Sequence, residues 1–306
     1  MTADSGVVTT WTSKVRAALM LSAWADAVGA SETDRRLVCE LGQMPVGLWS
    51  RVPTRTRGMW VLAEHLARND GQVHPAELSR ALLSSDVATP PTQEAWLDGD
   101  VPRVPHPRSW AGEEMTPTRG AAYLPDEVTT VPVGLVPDVD LEVIARRARR
   151  AAAVGQSDPL GLDLAAVEAV AVAAVARSAD PVDPDELVGH VIAEAWSPGL
   201  HAALRSAPGL ARWEAHAQQM ALQLNRYPKP VASAAVGLAA FLRHPDDAWA
   251  AMTLALRVGA EPATAAALAA ALSGARHGEQ ALPESLEVPP RLQRAADSLA
   301  SLARPS

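Results

Sequence analysis

The chain has 306 residues and a formal net charge of −8, with 48% hydrophobic and 20% charged residues. That mix excludes a disordered polymer. The acidic balance has the wrong sign for a protein that neutralises phosphates, which excludes nucleic acid as a partner.

Nine Trp stand beside two Tyr and one Phe, with alanine throughout. Alanine is the strongest helix former and strand-favouring aromatics are scarce, so an all-α protein is expected. The single cysteine, Cys39, excludes an internal disulfide framework and fits a reducing, cytoplasmic setting. It lies in an apolar run and reads as a small core residue.

In chain order, residues 1–12 read as a loose polar tail and 13–306 as a single domain. A helix is predicted over 14–29, where Leu19, Ala23 and Ala27 recur at spacing four. Lys14 and Arg16 precede its apolar run, but Asp26 interrupts it too early for a secretion signal. Further helices are predicted over 33–41, 58–69 and 75–84, the last opened by Pro75. Residues 85–137 carry nine prolines, too many for any long helix, and Trp96 and Trp110 suggest that parts of this segment dock on the helical body. Beyond it, Asp138 or Asp140 opens a helix to about 154, whose Arg146, Arg147, Arg149 and Arg150 read as a solvated face. Asp163 is predicted to cap a helix over 164–177 in which Glu168 is the only charge before Arg177. A helix that is apolar nearly all round belongs at the centre of a bundle. Asp183-Pro184-Asp185-Glu186 is a strong start signal. Helices over 209–225, 230–243, 245–258, 262–274 and 289–303 complete a bundle of about 10–13 helices. No run reaches the ~18 uncharged apolar residues of a spanning helix, so no membrane is expected, and the protein is expected to be a monomer.

The familiar catalytic motifs are absent: no Gly-x-Ser-x-Gly elbow, phosphate-binding glycine loop, His-Glu-x-x-His helix or paired Cys-x-x-Cys.

Three segments carry a resemblance. Ala17-Ala18-Leu19-Met20-Leu21-Ser22-Ala23-Trp24-Ala25-Asp26-Ala27-Val28-Gly29 is followed by Glu32. Pro53-Thr54-Arg55-Thr56-Arg57-Gly58-Met59 heads a helix containing Val61-Leu62-Ala63-Glu64-His65-Leu66. Gly259-Ala260-Glu261-Pro262-Ala263-Thr264 opens an alanine-rich helix that ends Gly274-Ala275-Arg276-His277-Gly278. In this order the segments resemble the ADP-ribosylglycohydrolase family, the relatives of the dinitrogenase reductase-activating glycohydrolase. The middle of the chain matches more thinly, through the prolines of Val128-Thr129-Thr130-Val131-Pro132 and Gly155-Gln156-Ser157-Asp158-Pro159.

The resemblance implies a compact helical bundle whose members hold two magnesium ions with aspartates at two helix heads. Those heads read Thr-Asp-Asp-Thr and Gly-Gly-Asp-Thr-Asp-Thr in the family. Here the first carries Arg55, Thr56 and Arg57, and the second carries Glu261 and Ala263 in place of aspartates. Magnesium wants octahedral oxygen coordination, and two guanidinium groups beside a divalent ion would repel it by roughly several kcal/mol each. No metal and no other cofactor is therefore expected, and the hydrolase chemistry is expected to be lost.

On the matched positions, Glu32 and Asp26 are the candidate acid/base residues. Arg55, Arg57, Trp24, Trp60, Glu261 and Thr264 are the candidate ligand-binding residues, the tryptophans offering either a stacking surface or a filling for the vacated site. Each also has a plainer reading: Asp26 bonded to a neighbouring helix end, Glu261 facing a helix N-terminus, the arginines solvated and the tryptophans packed in the core. The expected role is binding of an ADP-ribose-like ligand or a protein partner. Hydrolysis of an ADP-ribosyl bond by an altered or metal-free site is the alternative.

Overall fold

The computed structural model of the chain describes residues 9–85, 129–137, 139–155, 158–178, 181–212 and 217–303. Among the described residues there are fourteen α-helices, one of them only four residues long, and no strand. Most of the proline-rich segment, with Trp96 and Trp110, lies outside the described residues, as does the start of the chain.

Two helices form the axis of the bundle. Helix α1 (Trp11–Ala30) begins earlier than its apolar run predicts. Thr10 caps it by accepting the Ser13 N–H, and the Trp11 indole N–H donates to the Leu135 carbonyl at 3.2 Å. Residues 11 and 12 therefore belong to the helix and not to a polar tail. Helix α13 (Pro262–His277) runs antiparallel to it in the most extensive contact of the fold. Small residues allow this approach: a Cβ on Gly29 would lie 2.3 Å from Ala263 Cα, and one on Gly274 would lie 2.5 Å from the backbone of Ala17.

Around this pair lie α2 (Glu32–Leu41), α3 (Thr54–Arg68), α4 (Pro75–Leu83) and the short α5 (Val131–Gly134). Then come α6 (Leu141–Ala152), α7 (Pro159–Arg177), α8 (Pro184–Glu194), α9 (Pro198–Arg212) and α10 (Ala217–Leu224). The chain closes with α11 (Lys229–Arg243), α12 (Ala248–Val258) and α14 (Pro290–Ala300). One hydrophobic cluster runs from Val15 to Ala300 and joins α1 to α14. At roughly 1.5–3 kcal/mol for each fully buried aliphatic side chain, this cluster supplies the main driving force. Helix α7 is the one described helix long and apolar enough to cross a membrane, with a mean hydropathy of 1.8, but 72% of that window is buried inside the bundle.

Three expectations are corrected. Helix α7 starts at Pro159 with Asp158 as its cap, whose carboxylate accepts the Leu160 N–H. Asp163 caps nothing: it is buried inside α7 and accepts the backbone N–H of Trp196 at 2.9 Å, that of Ser197 at 2.8 Å and Arg149 Nη2 at 3.1 Å. Nor is Arg149 on a solvated face. It is 1% exposed, lies 3.6 Å over the Trp196 ring and donates to the Glu194 carbonyl. Burial pushes its pKa down, against the opposing pull of Asp163. The third correction is α9, which begins at Pro198 and carries Pro208 within it. Ala203, Leu204, Ala207 and Pro208 are buried there, and packing against α11 outweighs the lost N–H.

One buried imidazole predicts a pH dependence. His65 is 2% exposed, and its Nε2 accepts the His74 N–H at 3.1 Å with a lone pair that protonation would remove. Burial lowers its pKa, and burial likewise lowers that of His244. The unfolded chain protonates such groups near pH ~6.5 while the folded chain resists. Stability should therefore be level above that pH and fall below it. Urea midpoints between about pH 8 and 5 should drop more steeply for the native chain than for His65→Gln. Parallel curves would remove His65 as the cause.

Candidate functional site

The N-terminal ends of α3 and α13 meet α7 and α11 around one cavity of about 160 Å3. Its polar lining is Arg55, Thr129, Asp158, Glu168, Glu261 and Thr264, and its walls are aliphatic. All of these polar groups except Glu168, which lies in the middle of α7, are placed by a helix start or a buried turn. Asp158 and Glu261 precede Pro159 and Pro262, so each proline begins its helix directly after an acid. The Glu261 N–H donates to Ser233 Oγ in α11 at 3.0 Å, which fixes the approach of α13.

The centre of the site is Glu168. A buried carboxylate on an apolar helix must find donors or a cation, and this one finds both. Arg55 Nη2 approaches Oε1 at 2.7 Å, and the two side chains are 12% and 11% exposed. Oε2 accepts Thr129 Oγ1 at 2.9 Å, the Thr130 N–H at 2.6 Å and Thr130 Oγ1 at 3.0 Å. The Thr130 hydroxyl shares its one hydrogen between Oε2 and the Ala165 carbonyl, the latter at 2.6 Å. One carboxylate thus joins α3, α7 and the turn that enters α5.

Asp26, buried in α1, accepts Thr56 Oγ1 at 2.6 Å. That is the bond between an acid and a neighbouring helix end expected of a structural aspartate. Arg57 Nη2 lies 3.2 Å from Thr54 Oγ1 in the first turn of α3, and Arg57 is outside the cavity lining.

Arg55, Glu261 and Thr264 are therefore brought together, and Asp26 is bonded to Thr56, the neighbour of Arg55. Three other candidates lie elsewhere. Glu32 is on the surface of α2, 67% exposed and paired with Arg36 at 3.0 Å one turn on. The only buried residue of α2 is Val38, so Glu32 is turned to solvent. Trp24 packs on Trp249 with ring centroids 5.6 Å apart and, with Leu21, Met252 and Leu286, lines a separate small apolar crevice. Trp60 is held between α3 and α14, with the Arg291 guanidinium 5.2 Å over its ring and Arg291 paired to Glu64 at 3.1 Å. Both tryptophans are core residues here, and their apolar area explains their burial without a ligand. Cys39 is half-buried, and burial raises its thiol pKa.

The sequence reading missed Glu168, Thr129, Thr130 and Asp158 as site residues. Only Glu168 carried a signal, as the lone charge of an apolar helix. Among the described residues no group of three or more His, Cys, Asp or Glu is placed to hold a metal ion.

The succession of helices, with the heads of α3 and α13 on one cavity, agrees with a match of the ADP-ribosylglycohydrolase family model to residues 8–306. The chain belongs to the ADP-ribosylglycohydrolase family. It is also similar to a solved chain from an "ADP-ribosylglycohydrolase-related protein complex", with 17% identity and a TM-score of 0.60. That likeness covers 95% of this chain and 98% of the other, and at such identity it concerns the fold. No curated protein matches the chain.

Proposed function

We propose that this ADP-ribosylglycohydrolase-family protein acts by binding and does not carry out hydrolysis with a magnesium pair. The observation that carries this reading is the Arg55–Glu168 ion pair at the head of α3, where the family resemblance implies metal-binding aspartates. A guanidinium already occupies the space beside Glu168, the buried carboxylate of this cavity. A divalent ion ~4 Å from that guanidinium would meet a repulsion of roughly 8 kcal/mol at an effective dielectric constant near 20. The donor set supports the same conclusion. Thr56 is bonded to Asp26, and the backbone of α13 at Ala263 lies directly against Gly29. These residues do not fit two octahedral magnesium sites.

The occupants in keeping with this role are an ADP-ribose-like ligand or a protein partner, met by a monomer in the cytoplasm. Calorimetric titration with magnesium, with and without ADP-ribose, is expected to give no saturable heat for the metal. No ADP-ribose should be released from modified arginine, serine or asparagine side chains. Magnesium-dependent release would overturn the reading. Release that persists with the metal chelated and is lost in Glu261→Gln would favour a metal-free hydrolase instead, since Glu261, Glu168 and Asp158 place three carboxylates on one cavity.

A further inference from the structure

The end of α3 sets a carboxyl group beside an unshielded amide. Among the described residues, Asp70-Gly71 is the one acid or amide side chain followed directly by glycine. Glycine has no Cβ to crowd its own nitrogen, so that nitrogen can reach the carboxyl carbon of the preceding residue. Asp70 has a φ of 49°, the only positive value outside glycine among the described residues, and Gly71 follows at 74°. The Asp70 side chain is exposed, and among the described residues no group pairs with it. Burial therefore gives the carboxyl no protection.

The protection lies on the nitrogen. The Gly71 N–H donates to the Leu66 carbonyl at 2.8 Å. An amide nitrogen attacks only after giving up its proton, and here a carbonyl oxygen holds that proton in place. His65 clamps the turn at both ends. Its carbonyl accepts Asn69 Nδ2 at 2.9 Å, and its Nε2 accepts the His74 N–H at 3.1 Å. Gly71 itself is buried, and a Cβ there would lie 2.5 Å from Val136 Cγ1, so the turn has no room to spare.

We propose that Asp70 is a latent isoaspartate site, closed while the end of α3 is clamped and modified in molecules whose turn has opened. In the open turn the Gly71 nitrogen bonds to Asp70 Cγ, and the carboxyl hydroxyl leaves with the amide proton as water. Water then adds to one carbonyl of the resulting ring imide. Cleavage at Cγ restores aspartate, and cleavage at the main-chain carbonyl carbon routes the chain through the side chain. One water leaves and one enters, and nothing is oxidised or reduced. The rerouted backbone is longer by one methylene, which the contact of Gly71 with Val136 leaves no space to accommodate. The modification thus marks molecules that have opened at this point.

The test incubates the full chain at neutral pH in water enriched in heavy oxygen. A capped peptide of residues 69–80 and the chain unfolded in guanidinium chloride are incubated beside it. Trypsin, applied afterwards in ordinary water, releases residues 69–80 from the protein. Each ring opening leaves one heavy oxygen there, and fragmentation distinguishes isoaspartate from aspartate. The peptide and the unfolded chain should gain isoaspartate at similar rates. The folded chain should gain it roughly tenfold or more slowly, a factor set by the free energy of opening the turn. Asn69→Ala removes one clamp and leaves Asp70-Gly71 intact, so it should isomerise faster than the native chain while its urea midpoint still shows it folded. A folded chain that matches the peptide would overturn the proposal, as would an unfolded chain that forms no isoaspartate at Asp70. A folded Asn69→Ala protein no faster than the native chain would overturn it as well. The comparison of folded chain with peptide decides the matter even if that variant does not fold.

Discussion

Replacing Arg55 with aspartate, a residue type the family carries at this helix head, should destabilise the fold by about 3–5 kcal/mol instead of restoring a metal site. The pair with Glu168 is nearly nine-tenths buried on both sides. Removing one partner of such a pair leaves the other charge without its counter-ion, and that orphaned charge sets the cost. Aspartate makes matters worse than a neutral residue, because it sets a second carboxylate against Glu168. Arg55→Met should cost less than Arg55→Asp, and Arg55→Met combined with Glu168→Gln should recover part of the loss. The three neutral donors from Thr129 and Thr130 remain in every variant and hold the turn. Urea midpoints at constant slope measure the series. An Arg55→Asp protein within about 0.5 kcal/mol of the native chain would remove the pair from its central place. Thr56→Asp meets the same obstacle, since the Thr56 hydroxyl already donates to buried Asp26. Rebuilding the family motif thus conflicts at two adjacent positions with contacts the present fold relies on.

The sequence displays the helices well because their starts carry local chemistry. Pro75, Pro184, Pro262 and Pro290 each stand in a first helical turn, and Asp183 accepts from the Asp185 and Glu186 N–H groups as its position predicts. The same local reading fails where burial decides. Asp163 resembles a cap because an apolar run follows it, yet its donors come from Trp196, Ser197 and Arg149, all distant in sequence. Pro208 resembles a stop, but it is carried inside α9 against α11.

The site is legible to about the same depth. The motif frame leads to Arg55, Glu261 and Thr264 on one cavity, because helix heads keep their places when their side chains change. It does not lead to Glu168 as the partner of Arg55, 113 residues away. A buried acid in an apolar helix announces that donors are near without saying which they are. Glu32 shows the converse. Its closeness in sequence to the end of α1 suggests the cavity, but the single buried position of α2, Val38, turns that helix so that Glu32 meets Arg36 and water.

The close crossing of α1 and α13 sets up the other large effect. Gly274→Val should destabilise the fold by about 3 kcal/mol or more, and Gly274→Ala by less, although alanine is the better helix former. A Cβ at this position would lie 2.5 Å from Ala17 C and Ala18 N and 2.6 Å from Ala18 Cα. These are backbone atoms of a helix buried along almost its whole length, so no side chain can turn aside to make room. Relief requires the two helices to separate, which would pull Ala263 away from Gly29 at the far end of the same contact and disturb the head of α13 beside the cavity. Gly189 supplies the control. It lies within α8, and a methyl group there would meet nothing within 4 Å, so Gly189→Ala should stabilise by roughly 0.5–1 kcal/mol. Alanine in place of glycine has the same intrinsic helix preference at both positions and opposite surroundings, so the difference isolates the packing cost from the backbone entropy. Denaturant midpoints for the three variants measure the difference. A Gly274→Val protein within about 1 kcal/mol of the native chain would mean that α1 and α13 do not approach as closely as their glycines allow.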